Sequence, residues 1–180
     1  EQAQIFALQR CTKAREAGKL VGQLVTEYGF LPSCGPESEA LSIADPEEAW
    51  VMEVFSVGPD WDPESGKPGA IWAAQRVPDD HVCIVPNWSV IKEIDLSKPD
   101  WFMASNNYQQ EAIDRGWWDP AGGSPFIWQD VFSPVPREWA TSRFWLFFST
   151  YAPDLKEWPS RELTNPYKGY DNYHQYVEDL

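Results

Sequence analysis

The fold is decided by residues 40–55, ALSIADPEEAWVMEVF, in which two apolar runs flank a short acidic turn. Ala40–Ala44 and Ala49–Phe55 are rich in apolar residues, and residues 45–48, Asp-Pro-Glu-Glu, place a proline where a type I turn favours it. The stretch therefore predicts a β-hairpin. The second run has apolar residues at consecutive positions, which is typical of a strand that is covered on both faces.

Further predicted elements surround this hairpin. Before it, Thr12–Tyr28 carries apolar residues at helical spacing, with Thr12 as the expected N-cap and Gly29 as the expected end. After it, strands are predicted at Ala70–Val77, His81–Val85 and Trp88–Ile94, and helices at Asn106–Arg115 and Glu138–Thr150. An antiparallel sheet that is buried on both sides must lie inside a layered structure. The sequence therefore predicts an α+β fold in which residues 1–180 form a single domain or the central part of a longer one.

Composition excludes several classes of function. A net charge of −14 with a pI of about 4.4 argues against nucleic acid and against an anionic membrane surface as partners. No apolar run approaches the roughly 20 residues that a membrane helix needs. With 43% hydrophobic residues the chain can build a core, so disorder is not expected. A soluble protein is expected; composition leaves open whether it is cytoplasmic or secreted, and whether it forms a homo-oligomer.

The cysteines and histidines do not predict a metal site or a cofactor. Cys11, Cys34 and Cys83 show no CxxC spacing, and the chain has only His81 and His174. The sequence leaves open a disulfide between Cys11 and Cys34, although isolated cysteines are more often small buried hydrophobes.

Two polar residues are candidates for catalysis. Asn87 follows the apolar residues 82–85 and Pro86; it is either an ordinary turn residue or a side-chain amide that is aimed into a site, where its NH2 group would donate to an oxyanion. Arg143 lies on the aromatic helix, on a mostly apolar face shared by Trp139, Leu146 and Phe147. Its guanidinium either extends into water or supplies a fixed positive charge to a thiol or a carboxylate.

Other polar and aromatic residues have weaker functional interpretations. Glu53 shares a strand face with Val51 and Phe55, and we expect a structural ion pair with Arg76 rather than a carboxylate for a substrate amine. The 11 tryptophans are dispersed along the chain, which favours a role in the core. The rival hypothesis is a tryptophan-rich module that binds carbohydrate or peptide, and it predicts a row of exposed rings.

Four blocks of sequence resemble one known family, in the same order and with similar spacing. They are residues 7–17 (ALQRCTKAREA), 42–54 (SIADPEEAWVMEV), 71–80 (IWAAQRVPDD) and 84–87 (IVPN). Together they resemble the dipeptidase A and secernin-type family, a group of N-terminal-nucleophile hydrolases related to bile-salt hydrolases and penicillin V acylases. The resemblance extends from about Ala7 to about Phe148.

The resemblance implies a fold, an activity and two site residues. The fold is a four-layer αββα sandwich, and the substrate is a dipeptide or another small amide. A cysteine at the mature N-terminus attacks the amide carbonyl, with its own α-amine as base and side-chain amides at the oxyanion. Asn87 matches an active-site asparagine of the relatives, and Ser142-Arg143-Phe144 resembles the part of their helix that carries an active-site arginine.

The sequence departs from the family pattern at the nucleophile. Glu1 is not a cysteine, and none of the three cysteines carries a free α-amine. The family's N-terminal Cys, with its nearby Arg and Asp, has no counterpart in these residues. We therefore expect a central fragment that is inactive alone and that needs the remaining segments of the parent chain.

Overall fold

The computed structural model describes residues 1–32, 38–134 and 138–151. In chain order, the helices and strands are α1 Gln2–Arg10, α2 Ala14–Tyr28, β1 Ser38–Ala44, β2 Ala49–Ser56, β3 Ala70–Val77, β4 Phe102–Ala104, α3 Tyr108–Asp114, α4 Trp128–Phe132 and α5 Glu138–Tyr151. Cys34, the partner that a disulfide from Cys11 would need, lies outside the described residues, and Cys11 is a free cysteine in the structure.

The four strands form one antiparallel sheet in the order β1-β2-β3-β4. The predicted hairpin is confirmed: β1 pairs with β2 from Ser38–Phe55 to Ala44–Ala49, and the Asp45 N–H donates to the carbonyl of Glu48 (3.0 Å) across the turn. The α+β class is therefore confirmed, with β2 and β3 as the central strands.

Both faces of the sheet are covered, as the consecutive apolar residues of β2 predict. Trp50, Met52 and Val54 pack against α2, whereas Val51 and Glu53 face the segment 82–94 and the later helices. Every residue of β2 from position 50 to position 54 is consequently buried. Burial of this kind makes the middle of β2 a fixed point from which the neighbouring segments are positioned.

Helix α2 begins differently from the sequence-based expectation. Its N-cap residue is Lys13, and no side chain of the cap position bonds to the helix, so the prediction of Thr12 as the cap is wrong. The carboxylate of Asp45, in the β1–β2 turn, accepts from the Ala14 N–H (2.7 Å) instead. Local sequence cannot reveal a cap that comes from 31 residues away. Gly29, with φ of +81°, ends the helix as predicted.

Replacing Asp45 by alanine should lower the melting temperature of the native protein in a pH-dependent way. Hydrogen bonds from the backbone of Ala14, Glu47 and Glu48 hold the pKa of Asp45 below its ordinary value. A lowered folded-state pKa means that the stabilisation is present above the ordinary carboxyl pKa and is lost as the pH falls through the lowered value. The Tm difference between wild type and Asp45→Ala should therefore be full at about pH 7 and shrink below about pH 3. A difference that is equal at both pH values would contradict the assignment.

Two predicted strands do not form. His81–Val85 and Trp88–Ile94 run across the sheet face without pairing to any described strand. Trp88, Val90 and Ile91 are nevertheless buried. The N–H groups of Val90 and Ile91 donate to the side chain of Glu53 (2.6 and 3.3 Å), not to a strand. The apolar residues of this segment therefore reflect burial against the sheet and not strand pairing.

Other elements were partly or wholly missed. The helices predicted at Asn106–Arg115 and Glu138–Thr150 are confirmed as α3 and α5. Helix α1 was not predicted, because it buries only Ala7 and its sequence lacks an apolar stripe. The short elements β4 and α4 were also missed. Among the described residues, no helix combines the length and the apolar content that crossing a bilayer requires.

Candidate active site

Asn87 lies at a turn that the backbone holds in an unusual conformation. Its φ is +63°, and it is the one residue other than glycine with a positive φ in the part of the chain that the structure describes. Asparagine tolerates this left-handed conformation better than most residues. Pro86 and Trp88 on either side are buried while Asn87 itself is exposed, so the turn presents its side chain to solvent.

Arg143 holds this turn from helix α5. The helix packs through Ala140 and Phe144, which are 0% and 1% exposed, and the neighbouring position 143 faces the turn. The Arg143 Nη2 donates to the carbonyl of Pro86 (2.6 Å) and to Oδ1 of Asn87 (3.0 Å). The structure thus brings together the two residues that the sequence nominated separately.

The expected face of α5 needs correction. Arg143 and Leu146 were expected on an apolar face, but Leu146 is 59% exposed and Arg143 is exposed beside it. The buried stripe is Ala140 and Phe144, with Phe147 half-buried next to it. Arg143 therefore lies at the edge of the buried stripe, where its head group can reach the Asn87 turn.

The contact with Arg143 fixes the orientation of the Asn87 amide. Arginine is only a donor, so the atom of Asn87 that faces it must be the oxygen. The Nδ2 group is then turned away from Arg143, with two N–H donors. Within the described ranges, Nδ2 has no acceptor at hydrogen-bond distance. An oriented amide with free donors is the kind of group that stabilises an oxyanion.

Asn87 lines a cleft of about 800 Å³, which is within the size range of small-molecule sites. Its lining also includes Ser42 on β1, Ser89, and Arg115 with Trp117. Arg143 lines a separate groove together with residues 84–86. Of the two candidates, Asn87 therefore faces the larger space, and Arg143 binds its side-chain oxygen.

Glu53 also lines the cleft, and its buried carboxylate accepts hydrogen bonds from four donors. It is 2% exposed. Its Oε1 accepts from the N–H groups of Val90 and Ile91, and its Oε2 accepts from Ser89 Oγ (2.5 Å) and Trp128 Nε1 (2.7 Å). Burial raises the pKa of Glu53, and these hydrogen bonds oppose the rise. The carboxylate thus joins β2, the segment after Asn87 and helix α4.

The expected ion pair between Glu53 and Arg76 is wrong. Arg76 lies opposite Trp50 in the β2–β3 register, whereas Glu53 lies opposite Ala73, so the two charged side chains leave opposite faces of the sheet. Arg76 pairs with Asp79 (3.0 Å) and Glu48 (3.7 Å) instead. The sequence feature that points to a role for Glu53 is its position as an acidic residue in the middle of a strand that is covered on both faces.

The two described cysteines, Cys11 and Cys83, lie in different environments. Burial and the nearby Glu53 raise the pKa of the Cys83 thiol to about 12, which suppresses the thiolate. Cys11 is half-buried just after α1. In the described ranges, no three residues of the histidine, cysteine or acidic types are grouped as metal ligands would be.

The tryptophans favour a core role over a binding platform. Among the eight whose side chains the structure describes, four are buried: Trp50, Trp72, Trp88 and Trp128. Trp72 packs directly on Gly22 of α2 and donates through Nε1 to Thr26 Oγ1 (3.0 Å). The two exposed ones contact different arginines, Trp101 against Arg76 and Trp117 against Arg115.

Known proteins similar to this chain are peptidases. Residues 1–172 match the sequence profile of peptidase family C69. A probable dipeptidase of Latilactobacillus sakei is 27% identical over 157 residues, which cover 86% of this chain and 29% of that protein. A probable dipeptidase B of Lactococcus lactis subsp. lactis (strain IL1403) is 31% identical over 93 residues, which cover 52% of this chain and 16% of that protein. The chain thus spans less than a third of either relative, and no solved structure matches it significantly.

Proposed function

Since this chain belongs to peptidase family C69, we propose that its protein hydrolyses dipeptides with a cysteine nucleophile that lies outside these 180 residues. The relatives that carry the name dipeptidase support the substrate class. The high thiol pKa of Cys83 supports a nucleophile located elsewhere. In this proposal the sheet described above is one of the two in a four-layer sandwich, and the parent chain supplies the other.

The observation that carries the proposal is the Asn87 amide. Its oxygen is bound by Arg143, and its two N–H donors are unengaged by the described residues beside a cleft of about 800 Å³. In the proposed reaction the thiolate sulfur bonds to the amide carbon and the carbonyl oxygen gains negative charge. The Nδ2 of Asn87 donates to that oxygen, and such a donor is worth roughly 10²–10³ in kcat.

The rest of the reaction follows from the family chemistry. The α-amine of the nucleophilic cysteine takes the thiol proton and returns it to the departing amine as the C–N bond breaks. Water then hydrolyses the thioester and regenerates the thiol. Arg143 keeps the Asn87 amide oriented and contributes positive charge near the thiolate, which favours the thiolate over the thiol.

Dipeptide hydrolysis by the native protein tests this proposal. We expect turnover of a dipeptide panel, and equal turnover by the triple variant Cys11→Ala, Cys34→Ala, Cys83→Ala, because none of these thiols is the nucleophile. We also expect no turnover from the 180-residue chain alone. An absence of hydrolysis by the native protein, or its loss in the triple variant, would contradict the proposal.

A further inference from the structure

We propose that Glu53 is a positioning residue for Asn87. Its buried carboxylate accepts hydrogen bonds from residues 89–91 and thereby fixes the direction in which the Asn87 amide points. The inference rests on the proposed function, because it assigns a residue that acts on the same oxyanion donor. Glu53 touches no reacting atom in this scheme, since it is 2% exposed and its oxygens are occupied by protein donors.

The carboxylate starts from a rigid position. Glu53 lies in the middle of β2, which pairs with β1 and β3 on both sides through Ala40 and Ala73. A side chain at this position moves with the sheet and not with the surface loops. Glu53 can therefore serve as an anchor for a segment that has no strand pairing of its own.

The anchored segment begins two residues after Asn87. Ser89 donates through its side chain, and Val90 and Ile91 donate through their backbone N–H groups. These N–H groups have no strand partner, and a buried N–H without a partner is costly. Removal of the carboxylate would thus release three consecutive residues next to the turn at Asn87.

Helix α4 binds the same segment from the other side. The hydrogen bonds that join Glu53, residues 89–91 and α4 are called the clamp below. Trp128 donates through Nε1 to Glu53 (2.7 Å), and Gln129 donates through Nε2 to the carbonyl of Ser89 (2.6 Å). Ser89 is therefore held both by the sheet and by the helix. With the left-handed backbone of Asn87 two residues away and Arg143 on its far side, the turn is fixed at both ends.

Only a carboxylate satisfies this arrangement, because both of its oxygens accept. In Glu53→Gln the new NH2 group would face the N–H of Trp128, which is a donor opposite a donor. The substitution keeps the size of the side chain and disturbs only the hydrogen bonds. It is thus the smallest change that loosens the clamp.

A double-mutant cycle in the native protein tests the inference. We expect Glu53→Gln to lower kcat by about tenfold, with little change in KM, because the oxyanion donor is misplaced while substrate binding is retained. In an Asn87→Ala background, Glu53→Gln should lower kcat no further, because its effect passes through Asn87. Fully additive losses would overturn the positioning role and leave the proposed function standing. Wild-type kcat in Asn87→Ala alone would overturn both.

A matched control separates positioning from a loss of stability. Val54 is buried on the opposite face of β2, in the cluster that packs against α2, and it is not among the residues that line the cleft. Val54→Ala should lower Tm without lowering kcat at temperatures well below Tm. If the fall in kcat relative to the fall in Tm is the same for Val54→Ala and Glu53→Gln, the role of Glu53 is structural only and the inference is wrong.

Ser89→Ala is a second variant that should fold in any case. It removes one of the four donors and leaves Val90 and Ile91 bound to Glu53. We expect kcat to fall less in Ser89→Ala than in Glu53→Gln. When Ser89→Ala is added to Asn87→Ala, kcat should fall no further. Amide hydrogen exchange at Val90 and Ile91 should be slow in the wild type and faster in Glu53→Gln, whereas equal exchange rates would overturn the anchoring step.

Discussion

Asn87→Ala should lower the kcat for dipeptides by roughly 10²–10³ with little change in KM, as expected for the loss of one oxyanion donor. The substitution removes the Nδ2 group that stands beside the cleft, and the group is needed only when the carbonyl oxygen becomes negative. It also removes the oxygen that accepts from Arg143 (3.0 Å). Steady-state kinetics of the native protein with a good dipeptide substrate measure the effect.

The positive φ of Asn87 calls for a second substitution as control. Alanine at φ +63° is strained, so Asn87→Ala changes both the donor and the backbone energy. Glycine adopts this conformation readily and also lacks the amide, so Asn87→Gly should lose kcat to a similar extent. Recovery of wild-type kcat in Asn87→Gly would show that the backbone matters and the amide does not.

Arg143→Leu should lower kcat/KM by about 10- to 100-fold, which corresponds to the loss of a charged hydrogen bond of ~1.5–3 kcal/mol. The change releases both the Pro86 carbonyl and the Asn87 side chain. It also removes positive charge near the proposed thiolate, so the acid limb of the kcat/KM profile should move to higher pH by about one pH unit. A pH series of kcat/KM, with Tm measured in parallel, checks both effects.

Arg143→Lys separates the two contributions of the arginine. Lysine keeps the positive charge but cannot reproduce the planar guanidinium that contacts two oxygens of the turn. We expect the acid limb to stay near its wild-type position while kcat/KM is still reduced. An unchanged acid limb in Arg143→Leu would mean that the charge has no role, and that Arg143 acts only by holding the turn.

The sequence predicted the central sheet well, because its signals there are local. Residues 40–55 contain their own turn and their own strand pattern, and the register of β1 with β2 follows from that turn. The strand β3 was also predicted from its own apolar run, Ala70–Val77. In contrast, the partners of residues 81–94 lie far along the chain, and an apolar run alone does not distinguish strand pairing from burial against a sheet.

The candidate site was partly predictable. The family resemblance nominated Asn87 and Arg143, and the structure shows them in contact, although their catalytic roles stay predictions. The role of Glu53 was missed because the sequence shows which residues share its own strand face but not the register with β3. That register separates Glu53 from Arg76, and the donors that replace Arg76 come from up to 75 residues away.

The cap of α2 illustrates the same limit. Thr12 was the best local candidate, yet Asp45 performs the role from the hairpin turn. One side chain thereby joins α2 to the β1–β2 turn, and the lowered pKa of Asp45 reflects that contact. Interactions of this kind become predictable only after the fold is known.

Identification of the reactive thiol in the native protein tests the central claim most directly. The protein would be alkylated with iodoacetamide, with and without excess dipeptide, and the labelled peptide would be identified by mass spectrometry while dipeptide turnover is followed. The account predicts that inactivation follows the labelling of an N-terminal cysteine outside residues 1–180, and that the dipeptide protects it. Inactivation that follows the labelling of Cys11, Cys34 or Cys83, or complete alkylation without any loss of turnover, would contradict it.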